Sequence, residues 1–247
     1  NRYGIKYLSF LNKLKILQDI LHGLNFLKNG CGEYSIIHGD IKPENIFMKG
    51  YSTYPEVIIG DFGLSKQILK GSLFENNFII QSLHYKAPEI CFKIPYNETT
   101  DIWSIGCIIY EIFCDSVLIP TKKERDHMIF IHQILGVPNK EYINSHRNIK
   151  PYYNKFKAKY LQDSYFITRL PSSNLKLDET NFSLLYNKQY ELVLSNTSIK
   201  NSDIIKKEAT FIINLIYKCL VFESEKRITP LEALDYIEYV INEYKIV

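Results

Sequence analysis

Residues able to do chemistry are concentrated in one short span. Ile36 to Phe47 reads Ile-Ile-His-Gly-Asp-Ile-Lys-Pro-Glu-Asn-Ile-Phe, and Asp61-Phe62-Gly63 follows soon after. A polar loop between two apolar runs thus holds a carboxylate at Asp40, an ammonium at Lys42 and a carboxamide at Asn45, with a second carboxylate at Asp61. Phosphoryl transfer asks little covalent chemistry of a protein. The attacking hydroxyl must be oriented, metal ions held between phosphates, and the charge on the moving group neutralised. Asp40 suits the first task, Asn45 and Asp61 the second, and Lys42 the third.

A lone Asp-Phe-Gly is an ordinary turn with a high false-positive rate. Two motifs in this order and spacing, each behind a short Ile/Val-rich run, carry more weight. They resemble the catalytic loop His-Arg-Asp-Leu-Lys-x-x-Asn and the metal-binding turn Asp-Phe-Gly of eukaryotic protein kinases. The likeness continues through Ala87-Pro88-Glu89, which resembles the end of the kinase activation segment. It extends to Asp101-Ile102-Trp103-Ser104-Ile105-Gly106-Cys107, which resembles the start of the central helix, and to Lys226-Arg227-Ile228-Thr229, which resembles the element bearing a late arginine.

The resemblance implies a mainly α fold, that of a kinase C-terminal lobe with a few short β-strands at the catalytic cleft. It implies ATP and Mg2+ as cofactors and a protein hydroxyl as acceptor. By the same resemblance Asp40 and Lys42 are catalytic, Asn45 and Asp61 hold metal, and Phe47 supports the adenine while Lys42, Asn45 and Asp61 face the nucleotide. Ser82 is expected to bridge Asp40 and Lys42, with Tyr85 and Lys86 on the substrate side. His38 and Phe62 are expected to be structural, Glu89 and Arg227 to form a buried ion pair, and Asp101 to brace the catalytic loop. Lys42, two residues after Asp40, resembles the Ser/Thr-specific kinases more than the tyrosine-specific ones.

Ile80-Gln81-Ser82, His84 to Glu89, Asp126-His127 and Gln133 to Pro138 are similar to the CMGC group, with SR-protein kinases as the nearest resemblance and dual-specificity tyrosine-regulated kinases as the neighbour. The tyrosine that the latter autophosphorylate would fall at Ile79, which cannot be phosphorylated. Gly39 replaces the arginine that gathers a phosphorylated loop, and Leu83 and Lys86 replace two arginines common in the group. Arg125 interrupts the acidic cluster expected near Asp126.

The elements that must position these groups are partly legible. Leu14, Leu17, Leu21 and Leu24 recur at helical spacing between Ser9 and Lys28, and Asn29-Gly30 ends the run. Ile36-Ile37, Asn45 to Met48 and Val57 to Ile59 read as small strands. Leu64 to Lys86 lacks a sustained period and reads as a long functional loop. Thr100 to Phe113 is apolar nearly all round, as a central buried helix is. Glu124 to Leu135 and Asp203 to Leu220 are helical, and Thr229, Pro230 and Glu232 form a capping box for a last helix.

The 247 residues carry 30 Lys and Arg against 27 Asp and Glu, so charge implies neither a nucleic-acid nor a membrane partner. The five cysteines have no metal-like spacing and read as buried thiols of a reducing compartment. Ile102 to Pro120 is too short and too interrupted for a membrane span. The absence of a leader at Asn1 reads as cytoplasm or nucleus. One domain is expected over 1–247, with 139–202 as an insertion lying across its surface.

The Gly-rich loop, strand lysine and helix glutamate of the kinase N-terminal lobe do not occur in the chain, so it is expected to represent the C-terminal lobe and, by itself, to bind nucleotide poorly. The reading is a monomeric Ser/Thr protein kinase acting on basic, serine-containing protein. The alternatives are a noncatalytic pseudokinase scaffold and a small-molecule phosphotransferase.

Overall fold

A computed structural model describes residues 8–49, 56–75, 79–135, 138–146, 149–156 and 202–245, and the structural statements below refer to these. Helix α1 (Phe10–Asn29) forms around the Leu14, Leu17, Leu21 and Leu24 stripe, all of it buried. The Ser9 hydroxyl accepts the Asn12 N–H at 3.2 Å, satisfying one of the donors that a helix start leaves orphaned. At the other end the Gly30 N–H returns to the Phe26 carbonyl.

Strands β1 (Tyr34–Ile37), β2 (Ile46–Lys49), β3 (Glu56–Ile59) and β4 (Lys66–Leu69) form two antiparallel ribbons, β1 with β4 and β2 with β3. β4 corrects the expectation that Leu64 to Lys86 is loop throughout. Lys-Gln-Ile-Leu shows no clean alternation, and it is held as a strand by pairing with β1, Ile36 opposite Gln67, on the far side of the catalytic loop. A 3-10 turn at Leu83–Tyr85 also falls in that stretch, and the short helix α2 (Pro88–Phe92) follows it.

Helix α3 (Thr99–Cys114) is the centre of the molecule, with every residue except Glu111 buried. The chain continues through α4 (Glu124–Leu135), α5 (Lys140–Ser145), α6 (Ile149–Phe156), α7 (Ser202–Cys219) and α8 (Pro230–Lys245). α7 packs on α3, and α8 packs along α1. Gly106 permits the first of these contacts, since a Cβ there would stand 2.8 Å from Leu220 and 2.9 Å from Cys219. Phe10 joins three helices, its ring edge-on to Phe113 of α3 at 5.7 Å and to Phe211 of α7 at 6.4 Å. Such aromatic pairs add to the area they bury.

The capping box of α8 is present. Thr229 Oγ1 accepts the Glu232 N–H at 3.2 Å, and the Glu232 carboxylate accepts the Thr229 N–H at 2.8 Å. The stretch expected as a surface insertion opens with α5 and α6, which bury Tyr142, Ile143 and Ile149. Residues 157–201, where the rest of that expectation falls, lie outside the described residues. All five cysteines are free thiols; Cys107, Cys114 and Cys219 are buried, while Cys31 and Cys91 are partly exposed. Among the described residues no helix is long and apolar enough to cross a membrane.

Candidate active site

The loop after β1 is held by the first turn of α3. The Asp101 carboxylate, 2% exposed, accepts the His38 N–H at 2.7 Å and the Gly39 N–H at 2.9 Å. Burial pushes this carboxyl up to about 7, while the two N–H bonds pull the other way. To aim consecutive N–H groups at one carboxylate the backbone turns sharply at Gly39, whose φ is +77°. A side chain is strained in that region. A Cβ at Gly39 would also stand 3.1 Å from the Leu64 carbonyl oxygen.

Asp40 follows, 8% exposed, with both carboxylate oxygens engaged. Oδ1 accepts the Ser82 hydroxyl at 2.8 Å and the Ser82 N–H at 3.1 Å. Oδ2 accepts Lys42 Nζ at 2.6 Å and Asn45 Nδ2 at 3.2 Å. Lys42 Nζ also reaches Ser82 Oγ at 3.1 Å. Burial pushes the Asp40 carboxyl up, but the bonds from Lys42 and Ser82 outweigh it and hold the group below the usual carboxylate range. Asp40 is therefore ionised at neutral pH, which suits it to accept a hydrogen bond from an incoming hydroxyl.

Asn45 and Asp61 are brought together by the β2–β3 hairpin. Ile46 pairs with Ile59, and one step further the Gly60 N–H donates to the Asn45 carbonyl at 2.9 Å. Both hydrogens of the Asn45 amide are directed at Asp40, at its carbonyl (2.8 Å) and at Oδ2. Asn45 Oδ1 is thereby turned away from Asp40. Asp61 sits in the left-handed region at φ +63°, is exposed, and accepts the Gly63 N–H at 3.3 Å. No cluster of three or more His, Cys, Asp or Glu able to hold a metal occurs among the described residues. Two oxygen donors suit a hard cation that takes its other ligands from phosphates and water, as magnesium does, and do not suit a metal caged by protein alone.

His38 is fully buried under this loop. Its Nε2 faces the Gly60 carbonyl at 3.0 Å and its Nδ1 faces the Asp40 N–H at 3.2 Å. Only the neutral ring with its proton on Nε2 satisfies both neighbours. Burial lowers the His38 pKa, consistent with that form. The ring packs on Phe62, centroids 4.9 Å apart, so the turn after β3 rests on the loop after β1. Ser65 Oγ donates to the His38 carbonyl at 3.0 Å. Phe47 lies on the hairpin, half exposed.

Ser82 meets Asp40 and Lys42, whereas Tyr85 and Lys86 are turned into the body of the protein. The Tyr85 hydroxyl donates to Glu111 at 2.6 Å, and Lys86 Nζ donates to Glu124 at 3.0 Å, leaving these residues 3% and 5% exposed. Glu89 and Arg227 form a forked pair at 2.5 and 2.6 Å. Arg227 also donates to the carbonyls of Val221 and Thr99 and lies over the Trp103 ring.

With this geometry in view, the family model described as "Protein kinase domain" matches residues 9–237. The chain belongs to the protein kinase domain family. This kinase domain is 29% identical over 232 residues to homeodomain-interacting protein kinase 2 of Mesocricetus auratus, covering 90% of this chain and 19% of that protein. It is 31% identical over 224 residues to a dual specificity tyrosine-phosphorylation-regulated kinase 3 homolog of Drosophila melanogaster, covering 90% of this chain and 25% of that protein. It is 31% identical over 232 residues to homeodomain-interacting protein kinase 4 of Macaca fascicularis, covering 87% and 36% respectively. The kinase domain thus spans from about a fifth to about a third of those relatives' lengths. These relatives belong to the CMGC group, the group that the sequence resembles. Membership implies ATP, a divalent cation and a protein substrate.

Sequence reasoning passed over Gln81 and His127 except as marks of the subgroup. Both are buried polar side chains. A glutamine between Ile80 and Ser82 in an otherwise apolar approach was the available signal for the first. For the second it was a histidine on the inward stripe of α4.

Proposed function

We propose that this chain is the catalytic-loop lobe of a Ser/Thr protein kinase that transfers the γ-phosphoryl group of ATP to serine or threonine hydroxyls of a protein substrate. The single observation that carries the reading is the arrangement at Asp40. An ionised carboxylate is bonded by Lys42, Asn45 and Ser82 and seated on a loop that Asp101 holds from below. A pseudokinase scaffold has no need to keep three polar side chains converging on one buried carboxylate, where each unsatisfied partner would be costly.

In this reading Asp40 orients the incoming hydroxyl and takes up its proton late in transfer. Lys42 lies against the same carboxylate and neutralises charge on the moving phosphoryl group. Asn45 Oδ1 and Asp61 would hold magnesium, which would supply charge neutralisation for the transfer. Ser82 fixes Asp40 Oδ1, and Phe47 offers the adenine an apolar ring. Tyr85 and Lys86 act on substrate by shaping the Ser82–Ala87 segment, since their polar ends are bonded to Glu111 and Glu124.

The test is phosphorylation of a panel of serine and threonine peptides, basic and neutral, by the natural protein that contains this chain. Asp40→Asn serves as the matched control. Turnover in the wild type that is lost in the variant supports the reading, and equal phosphorylation by both overturns it.

A further inference from the structure

Gln81 is a buried glutamine, 5% exposed, held at φ +67°, a backbone region that side chains longer than Asn or Asp seldom enter. Its amide uses its full bonding capacity. Nε2 donates to the Thr100 carbonyl and to Ser104 Oγ, each at 2.9 Å. Oε1 accepts the Ala87 N–H at 2.8 Å and the Thr100 hydroxyl at 3.3 Å. The amide orientation follows from these partners, because a carbonyl requires the NH2 side and an N–H requires the oxygen. Ser104 extends the network by donating to the Tyr85 carbonyl at 2.8 Å.

The main chain of Gln81 joins the same system to the catalytic loop. Its N–H donates to the Gly39 carbonyl at 2.7 Å, immediately before Asp40, and its C-terminal neighbour is Ser82, whose N–H and hydroxyl both bond Asp40 Oδ1. Gln81 thus stands between two segments that must keep a fixed separation. One is the loop carrying Asp40, and the other is the stretch from Ser82 to Ala87 that shapes the substrate side. α3 is the common support, since Asp101 holds the first segment and Thr100 and Ser104 hold the second through Gln81. A strained backbone persists only where its surroundings over-determine it, and here four side-chain bonds do so.

We propose that Gln81 is a positioning residue for phosphoryl transfer, fixing the Ser82–Ala87 segment against Asp40 by docking it on Thr100 and Ser104. The proposal rests on the kinase reading above. It acts through Ser82 and touches neither nucleotide nor metal ligands, so its loss falls on the protein substrate and leaves ATP alone. In Gln81→Met the volume is kept and the four side-chain bonds are removed. The left-handed turn then relaxes, and Ser82 no longer presents two donors to Asp40.

The experiment uses the natural protein containing this chain, with Gln81→Met, Asp40→Asn, and Ile237→Val as a destabilised control on α8. Gln81→Met is expected to lower kcat/KM for a peptide substrate at least tenfold while KM for ATP stays within twofold. Hydrogen exchange of the peptide spanning Ser82–Ala87 should quicken at least tenfold, with the body of α3 unchanged. If Gln81→Met loses no more activity than Ile237→Val at a matched loss of Tm, or if exchange over Ser82–Ala87 is unaltered, the inference is overturned. If Asp40→Asn keeps wild-type turnover, the kinase reading fails on its own. Exchange over Ser82–Ala87 still decides whether Gln81 positions that segment.

Discussion

Arg227 grips Glu89 with both terminal nitrogens, across 138 residues of chain, and neither side chain is exposed beyond 1%. The fork matches the carboxylate plane, and the spare donors of the guanidinium reach the carbonyls of Val221 and Thr99. A buried pair of this kind is poor grounds for net stability, because desolvation offsets the attraction. Removing one partner strands the other charge.

Glu89→Ala or Arg227→Ala is therefore expected to destabilise the fold by about 3–5 kcal/mol. Substituting both partners with apolar residues of similar volume, Glu89→Leu with Arg227→Met, should recover part of that loss. Urea denaturation of the two single variants and the double variant measures both effects. Single variants within about 0.5 kcal/mol of wild type, the range of an ordinary surface change, would show that the pair is not holding the segment.

Asp40→Asn and Asp61→Asn are each expected to reduce turnover by about a hundredfold or more while leaving the fold intact. Asn is isosteric with Asp, and neither site anchors the core. Initial-rate assays and thermal melts on the same preparations separate the two effects. Near-normal turnover with an unchanged melt would remove the residue from the site.

At Gly39 the backbone and the neighbouring Leu64 carbonyl both exclude a side chain. Gly39→Ala is expected to cost about 1–2 kcal/mol. Gly39→Arg, which restores the arginine of the family pattern, should destabilise at least as much. A denaturant midpoint for Gly39→Ala equal to that of wild type would contradict the account.

Activity without loop phosphorylation is also expected. The segment after Asp61 is already anchored by β4 on β1, by Ser65 on the His38 carbonyl and by Phe74, which exchanges backbone bonds with Tyr96 and stacks obliquely on its ring at 5.5 Å. Lys86, the cation nearest Ser82 in sequence on that segment, is bonded to Glu124. A phosphate on Ser65 or Ser72 therefore gains little new order. Phosphatase-stripped protein, checked by mass spectrometry, should retain activity within tenfold of the modified form. A larger loss, reversed on rephosphorylation, would reject this.

His127 gives the fold a pH dependence of defined sign. Its Nε2 donates to the Lys86 carbonyl at 2.8 Å, and burial lowers its pKa from 6.5 to about 4, with the Lys86 and His84 charges acting in the same direction and the Lys86 carbonyl bond and Glu124 against it. Above pH 6.5 its contribution to stability is complete. Between 6.5 and 4 the unfolded chain takes up a proton that the folded chain refuses, and stability falls by at most about 1.4 kcal/mol per pH unit from this group. His38 and His132 are lowered by burial and add in the same direction. Asp101, raised by burial to about 7, acts in the opposite sense over the same range, so the histidine contribution is read as a difference between proteins. Measured by urea midpoints at pH 7.5, 6 and 5, His127→Gln, which keeps a donor for Lys86, should lose less stability, or gain more, on acidification than wild type.

Local signals accounted for much of this. The leucine stripe of α1, the apolar run of α3 and the Thr229–Glu232 box are short-range patterns, and each appears as the spacing implies. The order of polar residues from His38 to Asp61 likewise identified the loop. What periodicity could not reveal are relations fixed by distant partners. β4 is a strand because β1 lies beside it, and Gln81 is a hub because Thr100, Ser104 and Ala87 surround it. Tyr85 and Lys86 illustrate the same limit, since their bonds to Glu111 and Glu124, 26 and 38 residues on, leave no mark in the local pattern.

The bonds from Asp101 to His38 and Gly39, 63 and 62 residues back along the chain, also order events during biosynthesis. A nascent chain that has emerged only as far as Asp61 already carries Asp40, Lys42, Asn45 and Asp61. It lacks the carboxylate that turns their loop and the helix on which that carboxylate stands. Contacts of such long sequence separation form late, after the intervening chain has lost its freedom. The turn that seats Asp40 is therefore expected to take its final form only with the docking of α3, which supplies the Asp101 carboxylate.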